Sequence, residues 1–283
     1  MDFPIRMQHS LPRAWHVLTE SAQTAAGMSG LAFPRRQPLR ALLSFALLAI
    51  GVSWYDWADD LSGRTAIACF VLLFGLRYAY LFASFSPDGI APWLKARLGS
   101  ERAFSLHESV LAVLLFAQRA SFLTLLYVTA RPASGPVGTV VVSLGALLTV
   151  VGLGVSLWAT RVVGIDTYHY RDLFMGPQHM SVELRGPYAF LRNPMYGAGQ
   201  LAAYGLALLA LSPIGLVAAA LNQVTLYLFN DSVEQPRLRA ATSIFMETQL
   251  RYALSRTLVD DPRSDWQRGR SSRPPARIRR DPH

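Results

Sequence analysis

Cysteine and charge are what this 283-residue sequence has least of: one cysteine, Cys69, and only 16% Asp, Glu, Lys and Arg. A lone thiol inside an apolar run excludes an intramolecular disulfide framework and any cysteine-rich zinc or iron–sulfur centre. So little charge beside 52% hydrophobic residues, at a mean hydropathy of +0.26, excludes an ordinary soluble domain and indicates an integral membrane protein. The phosphate loop G-x-x-x-x-G-K-[ST], a strand followed by G-x-G-x-x-G, and H-E-x-x-H are all missing. His9, His16, His169 and His179 show no ligand spacing with a carboxylate cluster, so no metal site is expected. The net charge of +9 comes from basic residues that fall between and after the apolar runs rather than along one face. That distribution favours anionic lipid headgroups over nucleic acid as the partner.

What is present is a series of apolar runs of the length, roughly 20 residues, that a helix needs to cross the hydrocarbon core. They lie at about 39–57, 65–84, 105–129 and 137–160. Residues 196–229 form a longer run interrupted at Ser212-Pro213, where proline removes an amide donor and disfavours helix at the preceding residue. That pattern predicts a helical hairpin, and with it an all-α polytopic bundle of about six spans. With the N-terminus inside, every Lys and Arg falls on the cytoplasmic side except Arg64 and Arg131 outside and Arg77 and Arg119 within spans, so both termini are expected in the cytoplasm. The expected divisions are a cytoplasmic segment 1–38, N-terminal spans 39–136, a core 137–240, an interfacial helix 241–259 and a basic tail 260–283 too poor in apolar residues to fold.

Gly152-Leu153-Gly154 lies inside a span and reads as helix packing through small residues rather than a phosphate loop. Arg77, Glu108 and Arg119 are costly in a span unless they face protein, water or an interface. Glu108 and Arg119, eleven residues apart, share a helix face but stand ~16 Å apart and cannot pair with each other. They read as bundle packing ahead of a lining for a substrate path.

Chemistry-bearing residues concentrate in three places. The first is Gly164-Ile165-Asp166-Thr167-Tyr168-His169-Tyr170; the second is Gly186-Pro187-Tyr188 followed by Arg192-Asn193-Pro194-Met195-Tyr196-Gly197. Pro187 and Pro194 fix φ, so this stretch is expected to be a rigid loop with Pro194 in the first turn of the fifth span, whose free amides form a polar site. The third is Asn230 to Gln235, at the other end of the hairpin. Antiparallel arms bring the second and third together at one membrane face. Interface charges that merely neutralise arginines have the same composition, and from the residues alone the two readings weigh evenly.

At these positions the chain resembles the membrane methyltransferases, a family that includes phospholipid and isoprenylcysteine carboxyl methyltransferases. Their pattern is Gly-x-Tyr, then Arg-His-Pro-x-Tyr entering a hairpin, then a Glu-Glu pair. The matching residues are Gly186-Pro187-Tyr188, Arg192-Asn193-Pro194-Met195-Tyr196 and Glu234-Gln235, over roughly residues 145–240. Asn193 stands in place of His and Gln235 in place of the second Glu; each keeps a hydrogen-bonding group and loses a titratable one.

The resemblance implies S-adenosylmethionine as cofactor at the cytoplasmic face, held by Gly186, Tyr188, Arg192, Asn193, Tyr196, Glu234 and Gln235. It also implies a lipid or membrane-borne methyl acceptor, with a phosphatidylethanolamine-type amine as the leading class. Such an amine needs a base, for which Glu234 comes first and Asp166 and His169 follow. The competing readings are an NADPH-dependent membrane reductase of the sterol-reductase type, whose Asn-Tyr-x-Gly-Glu pattern is incomplete at Asn193 to Gly197, and a non-catalytic scaffold.

Overall fold

A computed structural model describes residues 10–28, 61–176, 183–191, 193–243 and 246–247. All elements among them are helical, in the order α1 (Ser10–Met28), α2 (Gly63–Phe85), α3 (Ile90–Leu98), α4 (Ser100–Val128), α5 (Gly135–Val163), α6 (Ile165–Tyr168), α7 (Arg171–Met175), α8 (Leu201–Leu209) and α9 (Pro213–Phe229). The chain divides into two units, residues 1–237 and 238–283. The second is described only at 238–243 and 246–247, which are helical. The expected first span 39–57, the tail 260–283 and most of the expected interfacial helix lie outside the described residues.

Among the described residues, four helices are long and apolar enough to cross a membrane: α2, α4, α5 and the one that starts at Pro213. The expected all-α membrane bundle is what is found. Their large exposed side chains are those a lipid-facing surface requires, among them Leu72 and Leu76 on α2, Val140, Leu147 and Val150 on α5, and Val217 and Val224 on α9. The segment 1–38, expected only as a cytoplasmic stretch, carries α1, which is tied to α5 by a 2.6 Å ion pair between Arg161 and Glu20.

The hairpin turns where the sequence placed it. Ser212 caps α9 by accepting from the Gly215 amide at 2.9 Å, Pro213 fills the first helical position, and Leu211 takes a positive φ of 48° to reverse the chain. Its first arm is shorter than a full span, with an apolar helical stretch of Ala198–Leu209 only. Pro194 is not in that helix. Residues 193–197 form a turn in which Asn193 and Pro194 carbonyls accept from the Gly197 and Gly199 amides, at 2.9 and 2.8 Å. The amides of Gly197 and Gly199 are thus taken up by this turn.

α5 buries only Gly145, Gly152, Ala159 and Thr160. Gly145, Gly152 and Ala159 repeat every seven residues and put one small-residue stripe along the helix. A Cβ added at Gly152 would strike the backbone of Ala202, and one at Gly205 of α8 would strike Thr149. α5 and α8 thus approach backbone to backbone, as the small-residue reading of Gly152 expects. Gly154 has no neighbour within 4 Å of an added Cβ. We expect Gly205→Val to lower stability by ~1–3 kcal/mol through overpacking, visible as a lower melting temperature in detergent. Gly154→Ala, which meets open space and adds helix propensity, should melt at or slightly above the wild-type temperature.

Candidate active site

The loop that follows α5 sends three consecutive side chains in three directions, to four partners. Tyr168 Oη accepts from Arg119 Nη2 at 2.6 Å, His169 Nδ1 pairs with Glu108 Oε1 at 3.1 Å, and the Tyr170 ring packs on Phe229 at 5.3 Å and Phe85 at 6.0 Å. Glu108 and Arg119, which cannot reach each other, both reach this loop. Tyr170 adopts a left-handed backbone, φ 65° and ψ 29°, a conformation that costs an L-residue with a bulky side chain ~1–3 kcal/mol. Its carbonyl then accepts the Phe174 amide at 2.8 Å, starting α7. His169 is fully buried and its Nε2 has no hydrogen-bond partner. With Nδ1–H donating to Glu108, that second nitrogen is left as an acceptor.

The second cluster folds against the end of α5. Gly186 begins a tight turn, Gly186–Ala189, at φ 58°, where a Cβ would press on Val162 and Trp158. Phe190 packs on Trp158 at 5.8 Å. Tyr188 Oη is buried without a partner; burial, and then the charges of Glu234 and Glu183, push this phenol up to about 12.

The third cluster meets the second at the base of the hairpin. Tyr196 Oη donates to Glu234 Oε1 at 2.7 Å, across 38 residues of sequence. Glu234 sits in a π-helical turn, Asn230–Glu234, that interrupts the register of α9; such turns recur at functional sites. Burial raises the Tyr196 phenol well above its ordinary range, with Glu234 and Tyr170 adding to it. Tyr170 is raised too, by burial first and Glu234 second, while Arg77 opposes the rise. Tyr170 therefore lies within the electrostatic reach of both Glu234 and Arg77.

Of the residues expected from sequence, Tyr188, Tyr196 and Glu234 are brought together, with Gly186 supplying the turn and Asn193 a backbone acceptor. Gln235 follows the π-helical turn and is half-buried. Asp231 receives the Asn230 amide at 2.8 Å and is exposed. Asp166 lies on α6, and Arg192 is outside the described residues. His169 is bound to Glu108 rather than to the Tyr196–Glu234 pair.

Sequence reasoning missed a polar network beneath this site. Arg77 Nη1 donates to Gln118 Oε1; Gln118 Nε2 and Tyr78 Oη both donate to Asn222 Oδ1 at 3.0 Å; Asn222 Nδ2 donates to Gln200 Oε1 at 3.0 Å; Gln200 Nε2 donates to the Met195 carbonyl at 3.2 Å. Amides at Gln118, Gln200 and Asn222 inside apolar runs were the available signal. No group of His, Cys, Asp and Glu fit to hold a metal occurs among the described residues.

Residues 140–241 match the family model described as phospholipid methyltransferase. A phosphatidylethanolamine N-methyltransferase from Laccaria bicolor is 33% identical over 97 residues, which is 34% of this chain and 11% of that protein. The chain thus spans about a tenth of the length of this relative. No solved structure matches. The motifs from Gly186 to Gln235 all fall inside the matched segment, and the family that this segment matches is one of the membrane methyltransferases they resemble.

The raised phenols carry a sign that can be measured. A folded-state value above the ordinary 10.0 means that the neutral form is favoured, so the contribution of Tyr188 is complete below pH 10 and is lost as pH climbs through about 12. Phenolate absorbance should show a late-titrating tyrosine that Tyr188→Phe removes, and the variant's alkaline loss of stability should be shallower than wild type.

Proposed function

We propose, taking residues 140–241 as a phospholipid methyltransferase segment, that the protein is an S-adenosylmethionine-dependent enzyme that methylates the amine of a phosphatidylethanolamine-type lipid. The reaction is placed at the cytoplasmic membrane face, with both termini in the cytoplasm. The observation that carries this reading is the 2.7 Å hydrogen bond from Tyr196 to Glu234, which joins the two halves of the family pattern at the base of the hairpin.

The residues present fit the cofactor. Tyr188 offers a buried hydroxyl with no partner, Glu234 a carboxylate with one oxygen engaged, and the Gly186 turn a backbone pressed close to α5. With Arg192, Asn193 and Gln235 from the same motifs, they are the residues that would hold it. S-adenosylmethionine, when bound, supplies an electrophilic methyl group to an in-line displacement, which asks the protein mainly for orientation and for an unprotonated acceptor.

The chain's own residues meet those two demands. Tyr196 fixes Glu234 through Oε1, while Oε2 makes no hydrogen bond among the described residues and is left to accept a proton from the acceptor's ammonium. His169, oriented by Glu108 with Nε2 unpartnered, is the second candidate base, and Asp166 the third. The aromatic packing of Tyr170, Phe85 and Phe229 beside them excludes water from the amine.

Glu234→Gln is nearly isosteric, so folding should survive while turnover falls at least ~10²-fold. Intact cofactor affinity with slow turnover partly rescued at higher pH identifies a base, and lost affinity identifies an anchor. Normal affinity with normal turnover would refute both roles. Arg192→Ala should weaken S-adenosylmethionine binding about tenfold by calorimetry. A melting temperature raised by NADPH and not by S-adenosylmethionine would overturn the methyltransferase reading. A reporter fused after His283 should be found in the cytoplasm.

A further inference from the structure

Arg77 is 8% exposed and lies mid-span on α2, where a cation without a counter-charge is costly. Its partners are neutral. Nη1 donates to the Gln118 amide oxygen, and Cζ lies 5.0 Å over the Tyr78 ring. Nε is buried with no hydrogen-bond partner, and no carboxylate stands within ion-pair distance among the described residues. The charges of α4 that enter the bundle differ: Glu108 has His169, and Arg119 has Tyr168 and the Met28 carbonyl. The Arg77 guanidinium is thus a buried cation whose partners among the described residues are neutral, with Nε still free to donate.

Its placement says which anion. Arg77 stands outside the matched segment 140–241. Its Cζ lies over the ring of Tyr78, which packs in one hydrophobic cluster with Tyr170 and Tyr196, and Tyr196 holds Glu234. Leu72 and Leu76, on the same helix just before it, are open to lipid. A guanidinium fork matches a phosphate oxygen pair better than any other cationic side chain. In an ethanolamine headgroup the phosphate and the amine are joined by a short two-carbon link. An anion held at Arg77 would have Glu234, the proposed base, across that one packed cluster.

We propose that Arg77 receives the phosphodiester of the lipid acceptor and thereby selects phospholipids over other membrane amines. This rests on the methyltransferase reading above for the role of the amine, but the anion site stands by itself.

The test uses full-length protein in detergent micelles, with Arg77→Gln and Arg77→Lys. Wild type should be stabilised against heat more by dioleoyl phosphatidylethanolamine than by dioleoylglycerol, and Arg77→Gln should erase the difference. The variant's KM for the phospholipid should rise about tenfold or more, with S-adenosylmethionine affinity within about twofold of wild type and an unchanged KM for sphingosine, an amine lacking phosphate. Arg77→Lys, which keeps the charge and loses the fork, should show a smaller rise confined to the phospholipid, and it decides the matter should the glutamine variant fail to fold. The proposal is overturned if phosphatidylethanolamine and dioleoylglycerol stabilise wild type equally, or if either variant changes the KM for both amines alike. It is equally overturned if Arg77→Gln weakens S-adenosylmethionine binding and keeps the lipid difference, which would assign the cation to the cofactor's carboxylate. Should wild type methylate no lipid at all, the methyltransferase reading fails while the melting comparison still reports on Arg77.

Discussion

One carboxamide, that of Asn222, sets the register of the helices around the site. Its oxygen accepts from Tyr78 on α2 and Gln118 on α4, and its nitrogen donates to Gln200 just before α8. Between helices immersed in lipid there is no hydrophobic preference for one apolar neighbour over another, so packing and interhelical hydrogen bonds decide the arrangement, at ~0.6–2 kcal/mol for each bond. A slide of any one helix by a turn would leave a buried amide without a partner. The consequence reaches the candidate site directly, because Gln200 goes on to hold the Met195 carbonyl and so fixes the turn that presents Tyr196 to Glu234.

The loop after α5 is organised by the same economy of polar contacts. α4 commits both of its interior charges to it, Arg119 to Tyr168 and Glu108 to His169, and the next residue, Tyr170, is then carried into the aromatic layer of Phe85 and Phe229. Adjacent residues on an extended or helical backbone would not diverge this way. The left-handed conformation at Tyr170 is what turns the third side chain inward, and its local cost is offset by two anchored neighbours and by the start of α7.

Much of this was legible in the residues. Long apolar runs gave α2, α4 and α5 to within a few positions, and Ser212-Pro213 marked the hairpin turn because a proline without an amide and a serine with a capping oxygen leave few alternatives. The convergence of Tyr196 with Glu234 followed from antiparallel arms. Two things did not follow. The start of α8 at Leu201 was hidden because Pro194 is equally suited to a helix start and to the turn it occupies. The partners of Glu108 and Arg119 were hidden because spacing along one helix shows which side chains share a face and says nothing about the element that face meets. For the same reason Gln118, Gln200 and Asn222 gave no sign, as separate amides, that they form one chain.

The shortness of the hairpin's first arm has an effect on the bilayer itself. Twelve helical residues from Ala198 to Leu209 cover ~18 Å, against ~30 Å of hydrocarbon that α2, α4 and α5 are long enough to fill. A membrane that meets both must thin beside α8 or admit water there, and either response lowers the polar boundary toward Tyr196 and Glu234. A headgroup arriving on that side would need less extraction from its leaflet, so that under the proposed function turnover becomes a function of acyl-chain length in the surrounding lipid.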